Sequence, residues 1–455
     1  MIIVGIDIGT TNIGLVAIDP ENGRIVERFS TPNVRVHSNH NYAYLQDPQE
    51  IGNTVENFLK RLSVKPVSIG ITGQVHGILY TDIMGTPLSN LYTWLDQRGV
   101  EIIDGQTSQN ELLKKCGGTL PSGYGLLTHY TNRKLGVVPK GTVQIQGICE
   151  YVTGRLLKRT LKKTDQSCLS AFGAWDTVNE VHNSKLLTEI LPQGSPAFLS
   201  ASEPFEQAGK TDEGIPVAYP IGDNQAGFFG IVTNWNTECL VSIGTSGQLT
   251  LFTPQAHPKP ELELRPYLGY GYLQVGATLC AGKSYETLEK FVLSVLQNAG
   301  LHDIDDDFVY AMLKTAAESG DNNPLTITTT LKGTRSDANL RGSITGIGLD
   351  NCNLGNLVRG TITGIVNELF QFRANLDFEF RSIKKIIITG NAVKKNPLLA
   401  QYLKRQFDMD VVIADADASI GVAIIGAISA GIIQANDRIP LLNKIIRNND
   451  SKRER

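Results

Sequence analysis

One short pattern occurs twice in this chain, and that duplication constrains the fold more than any other feature. Residues 2–16 read IIVGIDIGTTNIGLV and residues 238–252 read ECLVSIGTSGQLTLF. In each, two apolar strand-like runs flank a Gly-Thr turn, so Ile8-Gly9-Thr10-Thr11 aligns with Ile243-Gly244-Thr245-Ser246, 235 residues further on. A second pair follows in the same order. SIGITGQVHG (68–77) and KIIITGNAVK (385–394) are each an apolar run ending in Ile-Thr-Gly and an amide. Two matched pairs in one order imply two copies of one domain. The first copy covers 1–228 and the second 229–455, with the change near 219–236. The turn-rich segment 157–216 decorates the first copy.

Between these landmarks strands alternate with helical segments, which predicts an α/β protein with mixed sheets flanked by helices. The apolar spacing predicts helices over 48–62, 284–299, 353–372 and 396–407. The flanks of the first turn alternate like half-buried strands. The longest apolar stretch, SIGVAIIGAISAGII (419–433), has 15 residues, too few for a membrane span of about 20, and reads as a buried helix. The closing NNDSKRER (448–455) reads as a frayed, solvated tail. Charge is balanced, 42 basic against 45 acidic residues, so no nucleic-acid or membrane partner is implied. Six cysteines stand singly, with no CxxC pair to suggest zinc. The N-terminus enters a strand without a basic leader, and the expected compartment is the cytoplasm.

The first turn raises a chemical question. A hairpin needs Gly9, but it does not need Asp7, Thr10 and Thr11 together. A turn whose N–H groups and hydroxyls face outward beside a carboxylate can hold a phosphate and its metal ion, whereas an ordinary hairpin with polar turn residues is the simpler alternative. The repeat is asymmetric, because Ser242 stands where the first copy has Asp7. Two such turns facing each other across a cleft would hold a triphosphate, with Asp7 positioning magnesium.

DIGTT (7–11), GDNQAG (222–227) and IGTSG (243–247), in this order, resemble the FGGY family of carbohydrate kinases over nearly the whole chain. The resemblance implies two ribonuclease H-like, actin-like ATPase domains with the active site in the interdomain cleft. It implies ATP and Mg2+ as cofactors and a small-molecule ketose as substrate; a homodimer is compatible with it. GQVHGILY (73–80), TWLDQR (93–98), SGYGLLTHY (122–130) and TDQSCLSAFGAWD (164–176) are similar to the branch acting on sedoheptulose. PLTITTTLKGTR (324–335) suggests that branch over those acting on xylulose or gluconate.

Residue by residue, the resemblance implies Asp223 as catalytic base, a role that needs a carboxylate within reach of the attacking hydroxyl. An Asp-Asn turn would by itself also explain that segment. Gln74, His76 and Asn224 match sugar contacts, since amide and imidazole groups pair with hydroxyls. Trp94 matches an apolar wall, with Asp96 and Arg98 as an ion pair bracing it. Thr10, Thr11, Gly244, Thr245 and Ser246 match phosphate grips, Asp7 the metal ligand, and Gly282, Gly390, Asn391 and Asn396 the adenosine pocket. Three segments depart from the family pattern: TGNA (389–392) has fewer glycines, Gly333-Thr334-Arg335 lacks the family's acid, and THYTNRK (128–134) lacks its Lys-x-x-Trp. A pentulose or gluconate kinase remains the alternative within the class. An actin-like ATPase or a catalytically silent sugar-binding regulator is the alternative outside it.

Overall fold

In the computed structural model, the Ile2–Ile8 strand (β1) lies at the centre of a mixed sheet and is buried along almost its whole length. The structure describes residues 1–319, 325–334, 337 and 339–453; Pro324 and Arg335, at the ends of PLTITTTLKGTR, lie outside them. The chain groups into two compact units. Unit 1 comprises Met1–Thr233, Arg265–Gly271 and Ala416–Arg455; unit 2 comprises Asn234–Leu264 and Tyr272–Asp415.

In unit 1, β1 pairs antiparallel with Asn12–Asp19 (β2), which pairs antiparallel with Arg24–Pro32 (β3). On its other side β1 runs parallel to Pro66–Gly73, which in turn runs parallel to Pro216–Ala218 and Ile221–Gly222. The expected half-buried alternation of β1 is absent because both of its faces are covered. Val4, Ile6 and Ile8 join a core with Ile51, Val55, Cys149 and Val152. The opposite face, at Gly5, receives helix Ala418–Ser429.

Unit 2 repeats this plan. Glu238–Ile243 pairs antiparallel with Gly247–Thr253, which pairs antiparallel with Gly271–Thr278. On its other side Glu238–Ile243 runs parallel to Lys385–Thr389, followed by Asp410–Ile413. The repeat holds at the level of register. Asp7 lies opposite Thr72 of the first ITG segment, and Ser242 lies opposite Thr389 of the second.

The four expected helices are present as Pro48–Lys60, Gly282–Asn298, Leu354–Gln371 and Leu398–Phe407. Asp47 caps the first, accepting from the Gln49 and Glu50 amides, and Pro48 suits its first turn. The apolar run read as a buried helix forms Ala418–Ser429, capped by Asp417. Residues 416–455 group with unit 1 rather than with the rest of 229–455, because this helix packs on β1, Pro66–Gly73 and Asp223–Ile231. The tail read as frayed continues helix Arg438–Arg453. Lys444 and Asn448 anchor that helix by donating to the carbonyls of Glu21 and Asn22 at 2.7 and 3.0 Å.

Helix Ala418–Ser429 approaches its neighbours main chain to main chain. A Cβ on Gly5 would strike the Ser419 carbonyl, one on Gly70 the Val422 carbonyl, and one on Gly421 the Ala226 carbonyl. Backbone cannot yield as a flexible side chain can, so Gly421→Ala is expected to lose about 1–3 kcal/mol of stability. Gly227→Ala meets nothing within 4 Å and should be neutral or stabilising by up to about 1 kcal/mol. Thermal melts of the two variants beside the parent chain check this contrast.

Candidate active site

Three parallel strand ends of unit 1 lie side by side, with Ile8 opposite Gly73 and Gly73 opposite Gly222. Around them stand Asp7 and Thr10, then Gln74 and His76, then Asp223. The carboxyl ends of parallel strands gather ligands because the chain leaves the sheet there and presents its polar groups. Gly73 is needed at this junction, since a Cβ would strike the Ile8 carbonyl, the group that accepts from the Gln74 amide at 3.0 Å.

Asp7 lies two residues beyond Gly5 on the same strand face, which brings it beside the N-terminal end of helix Ala418–Ser429. Its Oδ1 is buried without a hydrogen-bond partner. Burial, then the charges of Asp223 and Asp417, raise its carboxyl from 3.8 to about 8. Asp223 is the first residue of helix Asp223–Ile231, whose cap, Gly222, donates its N–H to Ser167 Oγ at 2.9 Å. Asp223 keeps an accessible surface, and its Oδ1 accepts from the Asn224 amide at 2.7 Å. The protein packed around it raises its carboxyl above the ordinary value, while the Arg265 cation and its amide hydrogen bonds pull it down.

The structure brings Thr10, Gln74 and Trp94 together. Trp94 Nε1 donates to Thr10 Oγ1 at 2.8 Å, and Thr10 Oγ1 donates to Gln74 Oε1 at 3.1 Å. Gln74 Nε2 donates to Gln46 Oε1 at 2.7 Å. His76 places Nδ1 2.9 Å from the Ala171 carbonyl and its ring 4.7 Å from that of Tyr124. Asp96 and Arg98 form the expected ion pair as a buried fork, Nε to Oδ1 at 2.7 Å and Nη2 to Oδ2 at 2.9 Å. The guanidinium also covers the Tyr92 ring at 4.1 Å. Asn224 is buried in the helix behind Asp223.

In unit 2, Gly244, Thr245, Gly282 and Gly390 converge at one end of the sheet. The Gly282 amide donates to the Gly244 carbonyl at 3.0 Å, and the Ala281 amide to that of Thr245 at 3.0 Å. Gly390 holds φ at 111°, and a Cβ there would strike the Ile243 carbonyl, as one on Gly73 would strike Ile8. Thr245 and Asn391 are exposed, and Ser246 is half-buried. Asn396 is buried beneath them: its Oδ1 accepts from the Leu398 amide at 3.2 Å, and its Nδ2 has no partner.

Three residues of this region were absent from the set drawn from the sequence. Asp417 had a readable signal, an acid directly ahead of an apolar helical run, but nothing local tied it to Asp7. Arg265 and Gln46 carry no motif at all. Among the described residues no group of three or more His, Cys, Asp or Glu side chains forms a metal cage. Magnesium needs no such cage, since it keeps waters and takes one or two carboxylates alongside substrate phosphates. The orphaned Asp7 oxygen, within the field of two other carboxylates, fits such an ion.

The profile of the FGGY family of carbohydrate kinases, N-terminal domain, matches residues 2–135. Mouse sedoheptulokinase is 27% identical over 393 residues, covering 78% of this chain and 80% of that protein. The xylulose kinase of Staphylococcus xylosus is 24% identical over 436 residues, covering 90% and 85%. Among solved structures, ligand-bound xylulose kinase from Lactobacillus acidophilus superposes with a TM-score of 0.81 at 18% identity, covering 99% of this chain and 96% of that one. Plasmodium falciparum glycerol kinase with ADP gives 0.76 at 19%, covering 97% and 92%. These structural likenesses extend the shared fold across the whole chain, and residues 2–135 within it are matched by the N-terminal domain of the FGGY family of carbohydrate kinases.

Proposed function

We propose that this protein is an ATP-dependent sugar kinase that transfers the γ-phosphate to a primary hydroxyl of a ketose, converting sedoheptulose to sedoheptulose 7-phosphate. The observation that carries this reading is the placing of Asp7 and Asp223 at the ends of strands on either side of Pro66–Gly73, with the Asp223 charge acting on the Asp7 carboxyl. In this reading Asp223 accepts the proton of the sugar hydroxyl. The freed oxygen bonds to the γ-phosphorus, the bond from that phosphorus to the β,γ-bridging oxygen breaks, and ADP leaves. Asp7 would hold Mg2+, which supplies neutralising charge on the phosphates. Gln74, His76, Trp94 and Asn224 are assigned to the sugar side. Thr10, Thr11, Gly244, Thr245, Ser246, Gly282, Gly390, Asn391 and Asn396 are assigned to the nucleotide side.

Sedoheptulose is favoured by the 27% identity to mouse sedoheptulokinase. Xylulose is the second reading, favoured by the longer alignment, 90% of the chain, with the staphylococcal xylulose kinase. A pocket that pairs each hydroxyl can separate such sugars strongly. Among the described residues no helix is long and apolar enough to cross a membrane, and we place the reaction in the cytoplasm.

A panel of ketoses in a coupled ADP-release assay tests the reading. Sedoheptulose should give the highest kcat/KM, and Asp223→Asn should lower kcat by about 10²–10⁴-fold with sugar binding retained. Ketose-independent ATP hydrolysis, or no turnover with any sugar, would overturn it.

A second outcome concerns Asp7. With its folded pKa raised to about 8, the metal-free native state holds a proton between pH 4 and 8 that the unfolded chain lacks. The stability this confers is fully present below the ordinary carboxyl pKa and is lost as pH rises through about 8. Asp7→Asn should therefore melt progressively higher than the parent as pH rises from 5 to 8.5 without metal. Added Mg2+ with nucleotide should reverse the order at high pH. Identical pH profiles for the two proteins would refute the assignment.

A further inference from the structure

We propose that Gln46 is a positioning residue of this site, locking the first Gly-Thr turn and the Trp94 wall into one rigid piece through a closed ring of hydrogen bonds with Thr10 and Gln74. The proposal rests on the kinase reading where it speaks of a phosphate turn and a sugar wall. The ring itself stands on contacts within unit 1.

The polarity of the ring is forced from both ends. An indole N–H can only donate, so Thr10 Oγ1 accepts from Trp94 at 2.8 Å and must send its one proton elsewhere. It sends that proton to Gln74 Oε1 at 3.1 Å, which turns the Gln74 amide nitrogen toward Gln46 Oε1 at 2.7 Å. The Gln46 nitrogen then meets the Thr10 main-chain carbonyl at 2.8 Å, a group that can only accept. The path starts and ends on Thr10, and neither amide can flip alone without setting donor against donor or acceptor against acceptor. Asn33 flanks it, donating to the Gly9 carbonyl at 2.8 Å and to Gln46 Oε1 at 3.3 Å.

Gln46 is fully buried and Gln74 nearly so, whereas Trp94 is 37% exposed. The ring thus runs from the interior to a surface indole. In such an environment a fully paired amide is rigid, and one broken link leaves several polar groups unpaired. Thr10 then serves the nucleotide side through the turn it holds rather than through its hydroxyl. Its hydroxyl already donates and accepts within the protein, so it acts by holding the turn. Four chain segments far apart in sequence, at positions 10, 46, 74 and 94, are tied together. Displacing Trp94 then shifts Thr10 and its turn.

The test combines fluorescence with kinetics. The chain has three tryptophans, so Trp175→Phe with Trp235→Phe leaves Trp94 as the sole reporter. In that background Gln46→Met keeps side-chain length and removes both polar atoms, Thr10→Val removes only the hydroxyl, and Thr10→Ser retains it. With no sugar present, Gln46→Met and Thr10→Val should increase acrylamide quenching of Trp94 and shift its emission, and Thr10→Ser should match the parent. On the ketose found active in the panel, Gln46→Met should lower kcat/KM about 10-fold, with both kcat and the sugar KM affected. The same change in a Trp94→Phe enzyme should cost less, since the coupled link is already gone. Unchanged quenching, additive losses, or a lowered melting temperature with unaltered kinetic constants would overturn the proposal. The fluorescence arm needs no turnover, so a chain that phosphorylates no ketose would sink the kinase reading and leave the ring to be decided separately.

Discussion

The contact on which unit 1 depends is backbone lying on backbone. Helix Ala418–Ser429 is seated on β1 at Gly5, on Pro66–Gly73 at Gly70, and against helix Asp223–Ile231 through Gly421 and Gly230. With no side chains between them, these elements are held at distances set by main-chain dimensions, which vary far less than rotamers do. Asp7 belongs to one of these elements and Asp223 to another. Their relative position is therefore a property of the packing of one helix. That helix also brings Asp417 to the site, because its cap falls where the strand face emerges beyond Gly5.

The two copies of the hairpin show how one backbone plan carries two different sets of side chains. In both, a glycine ending the parallel strand lies on the carbonyl of the isoleucine before the Gly-Thr turn, Gly73 on Ile8 and Gly390 on Ile243. The backbone constraint is the same, and only the side chains differ. The first turn has Asp7 and the Thr10–Gln74–Gln46 ring around it. The second has Ser242, and the amides of Ala281, Gly282 and Lys283 take its turn carbonyls. One copy concentrates negative charge and hydrogen-bonded side chains; the other presents glycines and main chain.

Much of this was legible in the sequence, for identifiable reasons. Helices with strong apolar periodicity were readable because period and capping are local properties, as in Pro48–Lys60 after Asp47. The paired hairpins were readable because each Ile-Gly-Thr turn recurs beside an Ile-Thr-Gly segment whose glycine, Gly73 or Gly390, is a steric necessity at its junction. The burial of β1 on both faces was not, because Gly5 looks like an ordinary turn residue until a helix is laid upon it. That the last helix is tied down at Lys444 and Asn448 was not legible, because its partners, the carbonyls of Glu21 and Asn22, lie more than four hundred residues away in sequence. Gln46 and Arg265 sit in stretches without any pattern, and each gains its place only from distant partners.

By itself, then, the sequence determined that the chain is a duplicated α/β scaffold, where its two glycine–threonine turns fall, and that only the first turn brings an acid. These are encoded by residues within a few positions of one another, where backbone sterics and periodicity act. Tertiary structure alone decided that the C-terminal helices return to the first unit, that Asp417 and Arg265 lie in the field of Asp7 and Asp223, and that Thr10 is held by a ring reaching to Trp94. Burial, charge proximity and the pairing of polar groups depend on which distant segments meet, and no local pattern carries that information.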